Sequence, residues 1–397
     1  MLISIAYILL FGMLAGWLCK KIRFPSLFGM LVVGIIIGPQ VLDMIDGTVL
    51  DISAQIRKMA LIIILIRAGL KLSFEDLKKV GRPAVLMCFL PASFEMAGML
   101  LLAPKLLGVS LLEAAILGSV VAAVSPAVIV PKMIKLIDEK VGTDKGIPQM
   151  ILAGASVDDV FVIVLFTTFT DLAQGGSMNV MSLVNIPVSI IVGIIVGLLV
   201  GYIVYVLFDK VKMNDMSKVL IVFAVSLVLV TLEDEFSDIV PFASLIGVMS
   251  LGLMIRQKKQ DLAGALSAKY DKLWIPAEIF LFVLVGASVA IDSAKKAGAA
   301  TLVLLAGVLV FRMLGVFCCM IATKLNRKEK LFCMLAYTPK ATVQAAIGGL
   351  PLAYGLACGD IVLTVSVIAI LVTAPLGAFA IDLTYRKYLT CEKADEK

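Results

Sequence analysis

Two adjacent aspartates, Asp158 and Asp159, stand in the middle of an apolar stretch running from about residue 148 to 171. Ser156 lies three residues before Asp159 and so shares its face on a helix. Carboxylate and hydroxyl oxygens in dry surroundings are ligands for a hard metal cation, and Asp159 and Asp158 are the candidate metal-binding pair. Neighbouring helical residues point about 100° apart, so the two acids cannot face one partner. One can look into a water-filled cavity while the other meets a cationic side chain on a neighbouring helix. Two close carboxylates in a partly dry site resist double ionisation. One of them then holds a proton in acid and, once ionised, can ligate a cation. That competition couples the two ions if the site opens to one side at a time. A purely structural ion pair is the plainer account, but two adjacent acids exceed what one pair needs.

Three further charges lie deep in apolar segments: Glu95, Arg312 and Lys340. Each costs about 2.5–3.5 kcal/mol at a bilayer centre even on a lenient scale, so each needs a reason. Glu95 and Arg312 are read as a buried salt bridge holding two halves of a core in register. Lys340 follows a proline, where it either offsets the negative end of a half-helix or competes with the cation at Asp158. Arg67 is placed to snorkel from a short segment. Glu278 lies just inside a segment end, where an acid attracts cations to an entrance.

The elements that position these residues are transmembrane helices. Of the 397 residues 61% are hydrophobic and 16% charged, with a mean hydropathy of +1.07. That balance excludes a soluble domain. At about 20 apolar residues per span the chain holds about 13 segments. They fall near 2–18, 27–42, 59–72, 83–103, 110–134, 148–171, 183–208, 217–232, 239–255, 274–291, 298–323, 329–353 and 360–383. With the N-terminus outside, alternate loops and the C-terminal tail carry roughly 27 of the 35 Lys and Arg, and the opposite loops about 5. The loop at Lys20, Lys21 and Arg23 is basic, as is Arg256 to Lys272; those around Gly175 and from Glu233 to Asp238 hold no cation. The expected protein is therefore a multi-pass inner-membrane protein with a cytoplasmic C-terminus. The longest connectors, near 132–147 and 256–272, are expected to be helical. Basic residues are not pooled, which argues against a nucleic-acid partner. The seven cysteines sit mostly in apolar segments and read as packing residues, and the absence of histidine leaves proton chemistry to carboxylates or a lysine.

Two apolar segments share a feature. Ser125-Pro126 in the fifth and Thr338-Pro339 in the twelfth put a hydroxyl residue and a proline near mid-segment. Proline removes a helix hydrogen bond and clashes with the preceding turn. The segments are seven apart in order and so run in opposite directions. Paired broken helices in opposed halves point to an inverted-repeat transporter with its site, including Ser125, at the breaks. Glycines at helical spacing (Gly12 and Gly16; Gly34 and Gly38; Gly193, Gly197 and Gly201) read as close helix packing.

Ala155-Ser156-Val157-Asp158-Asp159, the run from Val124 to Pro131, the run from Pro339 to Gly348, and Ile66 to Leu70 resemble the NHA branch of the monovalent cation/proton antiporter superfamily. The resemblance covers nearly the whole chain in order. It implies an all-α membrane protein with an NhaA-like inverted repeat, two broken crossing helices, a homodimer and an elevator mechanism. Residues 1–80 and 211–297 would be scaffold and dimerisation helices, and 176–210 a linker helix. Residues 81–175 and 298–385 would form the two halves of an ion-transport core, with 386–397 a short cytoplasmic tail. By the same resemblance Asp159 is the main cation ligand and proton carrier, and Asp158 its partner. Relatives with lysine at the Arg312 position pair it with the first aspartate and transport electrogenically. Arginine here, with Glu95 to hold it, favours one-for-one exchange of Na+ or Li+ for H+, with no cofactor. K+/H+ exchange on the same scaffold is the alternative. An intramembrane aspartyl protease would need its acids on different helices, and a passive channel would need no proton-carrying acid.

Overall fold

The structure, a computed structural model, describes residues 1–22, 24–71, 81–175, 180–236, 242–289 and 291–390, without the side chains of 156, 157, 160, 180–187, 190, 234–236 and 291–297. Arg23, the far part of the Glu233–Asp238 loop, the end of the tail and the Ser156 side chain therefore lie outside the described residues. The helices are α1 Leu2–Lys21, α2 Ser26–Ile37, α3 Gly47–Asp51, α4 Ser53–Lys71, α5 Arg82–Met87, α6 Leu90–Leu107, α7 Leu111–Val121, α8 Pro126–Asp138 and α9 Ile147–Ala173. They continue as α10 Val180–Lys210, α11 Asp215–Phe236, α12 Ser244–Lys258, α13 Gln260–Ala287 and α14 Ile291–Cys319. The last are α15 Arg327–Ala336, α16 Thr342–Ile347, α17 Leu350–Ala353 and α18 Gly359–Tyr388. Among the described residues there is no β-strand, seven helices are long and apolar enough to cross a membrane, and three shorter apolar ones accompany them. The protein is an all-helical, multi-pass membrane protein.

The chain divides into two compact units. The first comprises Met1–Ala54, Glu75–Thr170 and Phe282–Lys397; the second comprises Gln55–Phe74 and Asp171–Leu281. In the first, α6 lies along α14 because glycines remove the side chains that would hold them apart. A methyl at Gly98 would sit 2.7 Å from the Phe311 ring, and one at Gly315 2.8 Å from the Pro91 backbone. Likewise α7 seats Gly118 on Met96 and Met99 of α6. These contacts bring the charged residues of α6 and α14 to one depth.

The two expected breaks are real. The apolar run 110–134 stops at Val121 and restarts at Pro126, whose ring fits the first helical turn. The run 329–353 breaks between Ala336 and Thr342. Pro339 lies against Gly377 of α18, where a methyl would meet its ring at 2.4 Å. A further interruption, at Cys88 and Phe89 between α5 and α6, was not expected from the sequence.

In the second unit, α10 and α12 meet backbone to backbone: methyls at Gly193 and Gly197 would lie 2.4 Å from Ala243 O and 2.2 Å from Gly247 O. Arg67 does more than snorkel. Its Nη2 is 2.7 Å from Asp271, and its guanidinium stacks on Trp274. The connector after α8 also differs from expectation. The helix ends at Asp138, and Lys140, Gly142 and Gly146 take positive φ. This turn buries Val141 and Ile147 in an apolar cluster with Leu389, and Gly142 N–H reaches Thr390 O at 2.8 Å. Burial of those side chains outweighs continuation of a charged helix. The 256–272 connector is helical from Gln260.

Candidate functional site

The two breaks brace each other. Ser125, the residue before Pro126, donates its backbone N–H to Pro339 O at 2.8 Å, joining one interruption to the other. Ser125 Oγ is buried with no hydrogen-bond partner among the described residues. Beyond Pro339, Lys340 turns its N–H to Thr373 Oγ1 of α18 at 2.9 Å, which fixes the start of the second half-helix.

Around this junction four charged side chains, each fully buried, form one continuous network. Glu95 Oε2 accepts from Arg312 Nη1 at 2.7 Å and from Lys340 Nζ at 2.6 Å. The other fork of the guanidinium, Nη2, lies 3.0 Å from Asp158 Oδ2. Arg312 Nε donates to Tyr337 O at 2.6 Å, Nη1 also donates to Ala122 O, and the Tyr337 ring lies 5.0 Å away. Asp158 Oδ2 additionally accepts the Val124 N–H at 2.9 Å. Arginine suits this position because its planar fork serves several acceptors at once while staying charged. A lysine would reach only part of the set.

Asp159 stands apart from the network. It is buried, and its Oδ1 has no hydrogen-bond partner among the described residues. Asp158 and Asp159 thus diverge, as neighbours on a helix must: one meets Arg312 and the other does not. The Lys340 ammonium pairs with Glu95, which compensates its buried charge. Glu278 lies on α13 in the second unit and is half-buried. Pro126 and Pro339 both sit at the junction. Three participants had not been singled out from the sequence: Tyr337, Gln344 and Thr373. Gln344 donates to the backbone carbonyls of Val120, Val121 and Ala123. Tyr337 donates its hydroxyl to Met87 O at 3.0 Å. The signal available was position, since Tyr337 and Gln344 flank the Thr338-Pro339 motif.

A helix bundle with two mutually braced interruptions and a buried, nearly balanced charge cluster defines a secondary transporter of small ions, not an enzyme. The family model described as "Sodium/hydrogen exchanger, transmembrane" matches residues 7–386. Sodium/hydrogen exchanger 9B2 of Xenopus tropicalis is 33% identical over 417 residues, covering 100% of this chain and 76% of its own length. Its Homo sapiens counterpart is 32% identical over 374 residues, covering 90% and 68%. The sodium proton antiporter MjNhaP1 from Methanocaldococcus jannaschii shares the fold, with a TM-score of 0.84 over 97% of both chains at 21% identity. The chain belongs to the sodium/hydrogen exchanger family, whose members are cation/proton antiporters.

Proposed function

We propose that this chain exchanges Na+ or Li+ for H+ by alternating access, with the two ions competing for Asp159. One observation carries the reading. Glu95 and Asp158 balance Arg312 and Lys340 in one chain of ion pairs, Lys340 to Glu95 to Arg312 to Asp158, while Asp159 brings a fifth charge whose Oδ1 is buried without a partner among the described residues. A desolvated carboxylate with no counter-charge must take a proton or a metal cation. Ser125 Oγ, also buried and unpartnered among the described residues, is the hydroxyl oxygen assigned as a second ligand. One titrating acid next to a neutral network supports one H+ per monovalent cation.

The finer parts of the proposal are thirteen spans, an inner-membrane location with the N-terminus outside, and a homodimer. Residues 81–175 and 298–385 would slide as an elevator core against the remaining helices. They rest on loop charge and on the resemblance of the motifs, as does the entrance role of Glu278. K+ in place of Na+ is the alternative substrate.

The test is cation-induced dequenching of a pH-gradient dye in proteoliposomes holding the purified protein. Wild type responds to Na+ and Li+, and Asp159→Asn loses the response while melting normally. Wild-type exchange in Asp159→Asn would remove the carrier assignment. A K+ response matching that of Na+ would transfer the substrate to K+, and a rate that follows imposed membrane potential would overturn one-for-one exchange.

A further inference from the structure

The last four carbonyls of a helix have no partner inside it. At the C-terminal end of α7 the final internal bond runs from Ala122 N–H to Gly118 O at 2.8 Å. Beyond it lie the carbonyls of Ser119 to Val124, four of which, those of Val120, Val121, Ala122 and Ala123, meet side-chain donors from other helices. Gln344 Nε2, from the second broken helix, lies 3.1, 3.2 and 2.9 Å from Val120 O, Val121 O and Ala123 O. Arg312 takes Ala122 O. The orientation of the amide is settled by chemistry, because its oxygen would be repelled by three carbonyls while its NH2 group is attracted. Gln344 is fully buried, and its Oε1 has no partner among the described residues.

Unwound carbonyls and half-helix C-terminal ends are the usual cation ligands where membrane helices break. Here the carbonyls of Val120, Val121, Ala122 and Ala123 are already engaged by side-chain donors, and the NH2 group presents positive partial charge to any ion that approaches. We propose that Gln344 is a positioning residue that sets cation selectivity, by withholding the carbonyls of the first break from the transported ion. The proposal deepens the reading in which Asp159 holds the cation, and rests on it. The ion is left to carboxylate and hydroxyl oxygens. A carboxylate is a strong-field ligand that favours small, strongly hydrated Li+ and Na+, whereas a set of carbonyl dipoles suits K+. A neutral amide does this without disturbing the charge count; a lysine in its place would cap the carbonyls but add a third positive charge to a balanced network.

Gln344→Met keeps the length and volume of the side chain and removes both donors; Gln344→Ala opens the same carbonyls with more space. Each is compared with wild type for half-maximal Li+, Na+ and K+ in proteoliposome exchange. Thermal stabilisation by each ion in detergent at constant ionic strength is measured in parallel. The expected result is a shift in the K+ to Na+ affinity ratio of roughly two- to tenfold in favour of K+, the worth of one or two freed carbonyls. An unchanged ratio, with all ions weakened together, would overturn the proposal. Failure of both variants to fold would also overturn it, assigning Gln344 to fastening the two breaks. Loss of the Asp159 reading would show separately, as exchange that survives Asp159→Asn.

Discussion

Glu95 is the most exposing place to perturb the charge network, because one of its oxygens serves two buried cations. Glu95→Gln keeps the shape of the side chain and removes the charge. Arg312 and Lys340, both fully buried, are then left with Asp158 as the sole acid of the network. Removing one partner of a buried pair costs about 3–5 kcal/mol, chiefly because the remaining charge stays desolvated. For a chain of 397 residues the unfolding entropy makes that a fall of about 4–6 °C in melting temperature. The double variant Glu95→Gln with Lys340→Met restores the balance, since Arg312 still reaches Asp158, Tyr337 O and Ala122 O. It should recover most of the loss, because a buried ion pair replaced as a unit costs little. Thermal unfolding of the two single variants and the double in detergent, followed by intrinsic fluorescence, measures the cycle. A Glu95→Gln protein melting within a degree of wild type would refute the reasoning. So would a double variant less stable than either single.

Two other outcomes follow from the second unit. Gly197→Ala would press a methyl to 2.2 Å from Gly247 O, a backbone atom that cannot turn aside. Overpacking of about 1–3 kcal/mol outweighs the better helix propensity of alanine, so the variant should melt lower; a rise in melting temperature would show that α10 and α12 part easily. Burial raises the Asp271 carboxyl, but the hydrogen bonds from Lys71 and Arg67 outweigh it and hold the group below its ordinary range. A depressed carboxylate stabilises the fold above its unfolded pKa of about 4 and loses that contribution as pH falls through the folded value. The melting difference between wild type and Asp271→Asn should therefore be full near neutrality and vanish in acid; a difference that grows in acid would contradict this.

The broad architecture was legible because membrane insertion penalises charge so heavily. Residues such as Glu95, Asp158, Asp159, Arg312 and Lys340 stand out in apolar runs, and each had to be accounted for. Proline is equally visible, and Pro126 and Pro339 do mark the interruptions of α7–α8 and α15–α16. Gln344, Tyr337 and Thr373 escaped notice for the opposite reason. A neutral polar side chain costs little in an apolar segment, so nothing in its chemistry announces that it satisfies a broken backbone. The pairing of Arg67 is not legible in its own segment, because Asp271, its partner, lies 204 residues away in the chain.

The periodicity and composition of the chain alone determined a helical, multi-pass membrane protein with charges and breaks at similar depth. The Glu95–Arg312 pair is legible in the sequence, but only the tertiary structure decided that Arg312 also bridges to Asp158, that Lys340 joins Glu95, and that Asp159 has no counter-charge among the described residues. The reason is geometric. Segment order says which helices share the bilayer, but the partner of a guanidinium fork depends on shifts of a few ångströms set by packing. Contacts such as Gly98 on Phe311 and Gly315 on Pro91 fix those shifts.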